Sequence, residues 1–190
     1  MSFKIIVIGT SLGGLSALKK ILINLPTDFL TPIAIVQHRH KDSGKTLQEL
    51  LQEYTLLPIR EVEDKEKILP GQIYLAPPDY HLLIEPDYFA LSTDEPVSYA
   101  RPSIDVLFES AADIYAEQVI GVILTGANED GKQGLKKVKA RGGITIVQEP
   151  TTAESSIMPK AAISAVAVDW IVSLSELAPL LVNLCHSIRK

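Results

Sequence analysis

Short apolar runs alternate with amphipathic segments along most of this chain. Residues 4–8, 33–37 and 119–124 are rich in β-branched and other apolar residues, which predicts strands buried on both faces of a parallel sheet. Between and after these runs, apolar residues recur every three or four positions, which predicts helices that bury one side. The apolar stripes are Leu15, Leu18, Leu22 and Leu25; Leu47, Leu50, Leu51 and Tyr54; Ile104, Leu107, Phe108, Ala111 and Tyr115; Leu135 and Val138; and Leu177, Leu180, Leu181, Leu184 and Ile188.

Shorter β-prone segments fill the middle of the chain. Pro86 and Asp87 separate two of them, and this pair is typical of a tight turn, so we expect an antiparallel hairpin there. Two signals mark helix starts: Asp42 and Ser43 before the second helix, and Pro102 in the first turn of the third. The further predicted strands are 59–62, 72–76, 81–85, 88–92 and 144–147.

This alternation predicts an α/β fold with a mostly parallel, doubly wound sheet, helices on both faces and one antiparallel β-hairpin. No shift in composition divides the chain, so residues 1–190 are expected to form a single domain. Ligands of such sheets bind beyond the carboxyl ends of the strands. The chemistry is therefore expected just after Ile8, Val36 and Leu124.

Composition and charge narrow the classes of function. The net charge of -5 argues against nucleic-acid binding, and the basic cluster at residues 132–141 is interpreted as the solvent side of a helix. Cys185 is the only cysteine, which fits a reducing cytoplasm. The first residues lead directly into an apolar strand, and no apolar run has transmembrane length, so we expect neither export nor membrane insertion.

A glycine-rich turn follows the first strand. Its sequence, Gly9-Thr10-Ser11-Leu12-Gly13-Gly14, matches G-x-S-x-G between a predicted strand and a predicted helix, where a sharp turn exposes a serine hydroxyl. A glycine-rich turn in this place also cradles phosphate in nucleotide-binding domains, so the segment alone fits both functions. The absence of G-x-G-x-x-G, and a second strand that leads into His38 rather than an acidic residue, favour the serine hydrolase.

A general base and an acid follow at the next strand ends. His38 follows the second strand and can accept the serine proton. Glu129 and Asp130 follow the strand at 119–124, and either carboxylate can orient the imidazole. No metal and no cofactor is expected, since His38-x-His40 lacks a convincing further set of ligands.

Six blocks in order resemble the catalytic domain of CheB protein-glutamate methylesterases, over essentially the whole chain. These blocks are V-I-G-T-S-L-G-G-L, V-Q-H, L-P-G-Q-I-Y-L-A-P-P-D-Y-H-L, R-P-S-I-D-V-L-F, V-I-L-T-G-A-N-E-D-G and M-P-K-A-A-I.

The resemblance implies a catalytic triad of Ser11, His38 and Asp130. It also places Leu12, Ala127, Thr125, Arg101 and Met158 beside the substrate or the oxyanion. The implied reaction is hydrolysis of glutamate methyl esters, or deamidation of glutamine, on a methyl-accepting chemoreceptor or a similar methylated protein.

Three departures from the family pattern stand out. Ala127 and Asn128 replace Met and Gly of T-G-M-G-x-D-G, and Arg39-His40-Lys41 replaces Met-Pro-Pro. The receiver domain that chemotaxis members carry has no counterpart in these 190 residues, so no control by aspartyl phosphorylation within this chain is expected. The altered loop at Ala127 and Asn128 and the missing receiver motivate an alternative hypothesis, a non-catalytic receptor-binding or sensory module of the same fold.

Overall fold

The computed structural model describes residues 2–38 and 46–186. Within these ranges the chain forms nine strands and six α-helices, in the order expected for alternating β and α segments. The strands are β1 (Ile5–Thr10), β2 (Ile33–Gln37), β3 (Ile59–Glu61), β4 (Ile73–Leu75), β5 (His81–Glu85), β6 (Tyr88–Ser92), β7 (Val119–Ile123), β8 (Ile144–Gln148) and β9 (Trp170–Val172). The helices are α1 (Gly14–Leu22), α2 (Leu47–Gln52), α3 (Ile104–Tyr115), α4 (Lys132–Ala140), α5 (Ile157–Ala165) and α6 (Leu174–His186).

Seven of these strands form one parallel sheet in the order β3-β4-β2-β1-β7-β8-β9. Strand β1 lies at its centre, with Ile8 opposite both Ile35 of β2 and Val122 of β7. On one side of β1 the chain adds β2, β3 and β4, with β4 between β2 and β3, and it then returns to add β7, β8 and β9 on the other side. The strand order therefore reverses beside β1, the place where doubly wound sheets bind ligands. The predicted fold class is confirmed.

Helices cover both faces of the sheet, and successive side chains of its central strands point to opposite faces. Ile6 and Ile8 face α1, α2 and α6, whereas Ile5 and Val7 face α3, α4 and α5. All four of these side chains are fully buried, which explains the unbroken apolar run in the sequence.

The predicted hairpin is present as β5 and β6, which pair with each other outside the main sheet. Leu82, Ile84 and Phe89 bury their side chains in the same core cluster as α3. The ring of Phe89 also packs on Tyr74 of β4, with 4.7 Å between ring centroids. The hairpin thus packs against α3 and also contacts the main sheet through β4.

One expected helix start differs from the structure, and the signal expected for another falls outside the described residues. Helix α3 begins at Ile104 with Ser103 as its N-cap, so Pro102 precedes the first turn instead of occupying it. Helix α2 is capped by Thr46, whose hydroxyl and the Glu49 carboxylate form a reciprocal capping box. The expected start signal at residues 42–43 lies outside the described residues.

Strand β9 and helix α5 were not expected from the sequence. Trp170 and Ile171 of β9 are 45% and 43% exposed, so this short edge strand lacks the fully apolar pattern of its neighbours. Helix α5 contains Pro159 near its start and small residues after it, which weakens the amphipathic pattern.

The basic cluster has the structural role expected of it. Lys137 and Arg141 both contact Asp113 of the neighbouring helix, at 3.1 and 2.6 Å, and Lys139 pairs with Asp169. In the part of the chain that the structure describes, no helix combines the length and apolarity needed to cross a membrane.

Gly134 sets the closeness of α3 and α4, and its replacement by alanine tests that packing. A Cβ at this position would lie 2.5 Å from Cβ of Phe108 and 3.1 Å from the backbone of Asp105, neither of which can rotate away. We expect Gly134→Ala to lower the free energy of unfolding by roughly 1–3 kcal/mol, despite the better helix propensity of alanine. Urea unfolding followed by circular dichroism measures this change. Gln133→Ala, on the exposed side of the same helix, should stay within about 0.5 kcal/mol of the parent.

Candidate active site

The carboxyl ends of β2, β1 and β7 bring the predicted residues to one place. The N–H of His38 donates to the carbonyl of Thr10, and the N–H of Ser11 donates to the carbonyl of Thr125, each at 3.0 Å. The Thr10 hydroxyl also donates to the Thr125 carbonyl at 2.8 Å. The loops after the three strands are therefore tied together by their own backbones.

The turn that carries Ser11 depends on glycine. Gly13 has φ +81°, a left-handed conformation that other residues rarely adopt, and α1 begins immediately after it. The Ser11 carbonyl accepts hydrogen bonds from the N–H of Gly14 and from the Gln37 side chain, at 2.9 and 2.8 Å. Gln37 also donates to the His38 carbonyl, so one amide fixes the serine turn against the histidine.

His38 and Asp130 form a hydrogen-bonded pair. Nε2 of His38 lies 2.9 Å from Oδ2 of Asp130, and the side chains are 13% and 0% exposed. Ser11, His38 and Ala127 line one open cleft of about 760 Å³ above the sheet edge. An imidazole with one nitrogen on a buried carboxylate can act as a general base through its other nitrogen. Here the carboxylate contacts Nε2, whereas in serine proteases it contacts Nδ1, so the nitrogen left to accept a proton is Nδ1.

The Asp130 carboxylate is buried but fully supplied with donors. Oδ1 accepts from the Ser103 hydroxyl at 2.9 Å and from the N–H of Asp105 at 3.0 Å. Oδ2 accepts from the N–H of Ile104 at 2.6 Å in addition to His38. The carboxylate thus lies at the N-terminus of α3, where the helix dipole favours a negative charge.

These donors decide the ionisation of Asp130. Burial would raise the pKa of this carboxyl, but the hydrogen bond from His38 and the N–H groups of Asp105 and Ile104 outweigh it and lower the pKa below its ordinary value. Asp130 therefore stays ionised at neutral pH, as a partner for an imidazolium must.

Asp105 makes the reciprocal contact. Its carboxylate accepts from the N–H of Gly134 at 2.7 Å, in the first turn of α4. The start of each helix therefore donates hydrogen bonds to a carboxylate from its neighbour. The N-terminus of α3 binds Asp130, from the loop before α4, and the first turn of α4 binds Asp105, from α3. Burial, followed by the charges of Asp130 and Glu109, raises the pKa of Asp105 to about 6, although the N–H of Gly134 opposes the shift.

A second serine and histidine lie on the far side of Asp130. The N–H of Ser103 donates to Nδ1 of His81 at 3.2 Å, and Nε2 of His81 donates to the Glu95 carbonyl at 3.1 Å. The Ser103 hydroxyl is fully buried and contacts Asp130, not His81. This arrangement positions the carboxylate and anchors β5 to it, and it leaves Ser103 unable to reach a substrate.

Leu12 and Ala127 supply candidate oxyanion donors. Both residues line the cleft next to Ser11, and Leu12 is 54% exposed. Among the hydrogen bonds of the described residues, none engages the backbone N–H of Leu12 or of Ala127. Free N–H groups beside a nucleophile can stabilise a developing oxyanion.

The other predicted site residues are not among those that line the cleft. Thr125 is 1% exposed, and its hydroxyl donates to the Leu12 carbonyl at 2.8 Å and accepts from the N–H of Ser155. Met158 is buried under Gly126. The Arg101 guanidinium donates to the carbonyls of residues 93 and 94, at 3.0 and 3.1 Å. The basic rim of residues 39–41, His40 included, lies outside the described residues.

Reasoning from the sequence did not identify the hydrogen-bond partners of several residues at the site. Gln37, Ser103, Asp105 and Asn128 each make a hydrogen bond to a predicted triad residue or its backbone. A capping pattern at Ser103 and a polar end to the apolar strand at Gln37 are visible in the sequence, but neither identifies its partner. Within the described ranges, no group of three or more His, Cys, Asp or Glu side chains is arranged to hold a metal ion.

An exposed serine turn, a histidine on a buried carboxylate and free N–H groups, at the switch point of a doubly wound sheet, are typical of a serine hydrolase. Comparison with known proteins then identifies the family. The sequence pattern of the CheB methylesterase family matches residues 6–181, so this chain belongs to that family.

Its relatives differ in length. A putative protein-glutamate methylesterase/protein-glutamine glutaminase of Leptospira interrogans is 51% identical over 185 residues, which is 97% of this chain and 96% of that protein. The protein-glutamate methylesterase/protein-glutamine glutaminase of Thermotoga maritima is 36% identical over 188 residues, but this chain spans only 55% of its length. The crystal structure of the Thermotoga maritima CheB methylesterase catalytic domain matches with a TM-score of 0.92, at 36% identity, over 97% of this chain and 100% of that one.

The raised pKa of Asp105 predicts a pH dependence of stability. The folded chain keeps this proton up to about pH 6, whereas the ordinary pKa of the group is 3.8, so between these values the folded state binds more protons than the unfolded state. The stability contributed by Asp105 is therefore present below its ordinary pKa and is lost as the pH rises through about 6. Asp105→Asn lacks this loss. Relative to the parent, it should gain up to about 3 kcal/mol between about pH 4 and pH 7.

Urea unfolding of the parent and Asp105→Asn at several pH values measures this gain. A constant difference can be added to this gain, because asparagine changes the contact with α4 at every pH. The prediction concerns only the change of the difference with pH, and a difference in free energy of unfolding that is the same at every pH would contradict it.

Proposed function

We propose that this protein is a protein-glutamate methylesterase and protein-glutamine glutaminase that uses Ser11 as nucleophile, His38 as general base and Asp130 as the orienting carboxylate. The observation that carries the proposal is the His38–Asp130 hydrogen bond of 2.9 Å at the wall of the cleft that Ser11 also lines. Family membership and the names of the relatives support the same reaction.

Acylation is the first half of the reaction. Nε2 of His38 donates to Asp130, so Nδ1 is the nitrogen that accepts the Ser11 hydroxyl proton. The Ser11 oxygen attacks the ester carbonyl carbon, and the oxyanion lies against the N–H groups of Leu12 and Ala127. The carbon–oxygen bond to the methoxy group then breaks, the His38 proton passes to the leaving oxygen, and methanol departs.

Deacylation repeats these roles with water. Water gives a proton to His38 and attacks the acyl-enzyme, and the bond to Ser11 breaks as the proton returns to its oxygen. The product is glutamate with a regenerated serine. With glutamine as substrate the leaving group is ammonia, and the other steps are the same.

The substrate belongs to the proposal as well. The names of the relatives support a protein substrate that carries glutamate methyl esters or glutamine side chains, which we take to be a methyl-accepting chemoreceptor. The single cysteine of the chain suits a cytoplasmic site of action, where the methylated helices of such receptors are presented.

Replacing Ser11 with alanine tests the nucleophile. We expect hydrolysis of a methylated receptor, measured as released methanol, to fall to background, with an unchanged circular dichroism spectrum because the Ser11 turn is held by backbone bonds. A serine-directed phosphonate should add its mass to the parent and not to Ser11→Ala. A parent protein that shows no turnover and no labelling would favour the non-catalytic receptor-binding module.

Asp130→Asn and Glu129→Gln separate the two neighbouring acids. Asparagine places an N–H toward donors that need an acceptor, so it favours the wrong imidazole tautomer and should lower kcat by at least roughly two orders of magnitude. Glu129 is exposed and pairs with Lys132, so Glu129→Gln should stay within a few-fold of the parent. Both are assayed on one ester below their melting temperatures. The reverse ranking would transfer the orienting role to Glu129.

A further inference from the structure

The Asn128 side chain connects the loop after β7 to the ring of His38. Its Oδ1 accepts a hydrogen bond from the N–H of Asp130 at 3.0 Å, which closes a local turn. Its Nδ2 lies 3.0 Å from Nδ1 of His38. Both ends of the amide are engaged, so the side chain is held against the imidazole.

The polarity of these contacts selects one form of His38. An amide nitrogen is a donor only, so Nδ1 of the ring must be the acceptor and carries no proton. The ring proton is then on Nε2, where it donates to Oδ2 of Asp130 at 2.9 Å. Asn128 and Asp130 therefore favour the same neutral tautomer from opposite sides of the ring.

The nitrogen that Asn128 contacts is also the one that must accept the Ser11 proton. A neutral imidazole nitrogen has a single in-plane lone pair, so a full hydrogen bond from Asn128 competes with one from the Ser11 hydroxyl. Among the described residues, no hydrogen bond joins Oγ of Ser11 to His38. The structure thus shows His38 in the correct tautomer but with its accepting nitrogen occupied.

We propose that Asn128 is a positioning residue that sets the tautomer of His38 and covers its proton-accepting nitrogen until the serine displaces it. The inference rests on the proposed function, since it assigns the covered nitrogen to the Ser11 proton. Where the family motif has glycine at this position, no side chain is present to cover the ring, so the contact is a property of the Asn-containing loop. Withdrawal of the amide becomes part of the acylation step.

The other ionisable groups around His38 are few in the described part of the chain. Asp130 contacts the ring directly, Asp105 lies behind Asp130, and Glu154 lines the same cleft from the loop before α5. Glu129, in the same loop as Asn128, pairs with Lys132 and points to solvent. A charge introduced at position 128 therefore acts on His38 in addition to the charges of Asp130 and Glu154.

Two substitutions separate the local turn from the contact with the ring. Asn128→Ser keeps an oxygen that can accept from the N–H of Asp130, but its side chain is too short to reach His38. Asn128→Asp has nearly the same shape and keeps the turn, but it presents an acceptor to Nδ1 where the parent presents a donor. The first uncovers the nitrogen, and the second stabilises a proton on it.

Kinetics on p-nitrophenyl acetate then test whether Asn128 covers Nδ1 of His38. We expect Asn128→Ser to raise the acylation rate roughly two- to tenfold, the value of one ordinary hydrogen bond. Asn128→Asp should lower the rate at neutral pH and move the acid limb of the pH–rate profile to higher pH. That shift should persist at about 0.5 M salt, because a direct contact is screened less than a distant charge. Gln133→Ala, on the exposed side of α4, serves as the control with unchanged kinetics.

Nitrogen-15 NMR of the His38 ring supplies a readout independent of turnover. In a Ser11→Ala background, Nδ1 should be unprotonated when residue 128 is asparagine. With Asn128→Asp, Nδ1 should keep its proton to a higher pH than it does with asparagine. If Asn128→Ser is no faster than the parent, or if Asn128→Asp leaves both the acid limb and the ring protonation unchanged, the proposal is overturned. If Ser11→Ala keeps full turnover, the proposed function fails instead, and the ring measurement still decides whether Asn128 sets the tautomer.

Discussion

The burial of one ionised carboxylate, that of Asp130, determines how the rest of this site is built. A buried charge without partners costs several kcal/mol, so the carboxylate is stable only where enough donors converge on it. Here the donors come from the N-terminus of α3, from Ser103 and from the ring at the end of β2. The same requirement that satisfies the charge also fixes the orientation of the histidine. Stability and the geometry of the proposed catalytic site therefore depend on the same four hydrogen bonds.

The negative charges of Asp105 and Asp130 repel each other because the two residues lie close together. The two carboxylates lie in the same buried region, and only one of them keeps a lowered pKa. The division follows the donors: Asp130 has an imidazole and a hydroxyl in addition to backbone N–H groups, whereas Asp105 relies on backbone N–H groups of α4. Burial therefore outweighs these donors at Asp105 and raises its pKa.

The sequence predicts the main strands and the location of the site because both depend on local patterns. Buried parallel strands require unbroken apolar runs, and residues directly after them must meet at one sheet edge, so Ser11, His38 and Asp130 could be placed together. The weakly patterned elements β9 and α5 could not be found this way. Nor could the contacts of Gln37, His81 and Asn128, because a single polar residue does not reveal which distant atom it binds. The Asn128 contact in particular depends on a side-chain direction that no periodicity encodes.

The position of Asp130 after β7 also has a consequence for folding. Ser11 and His38 precede it by 119 and 92 residues. The N-terminus of α3, which receives its carboxylate, lies between His38 and Asp130 in the chain. A chain emerging from the ribosome therefore has its serine turn and its histidine long before the strand that orients them has been made. Contacts of such large sequence separation form slowly and late. Hydrolytic competence accordingly reports completion of the central sheet, and partly folded chains should be inert toward esters even when their N-terminal half is structured.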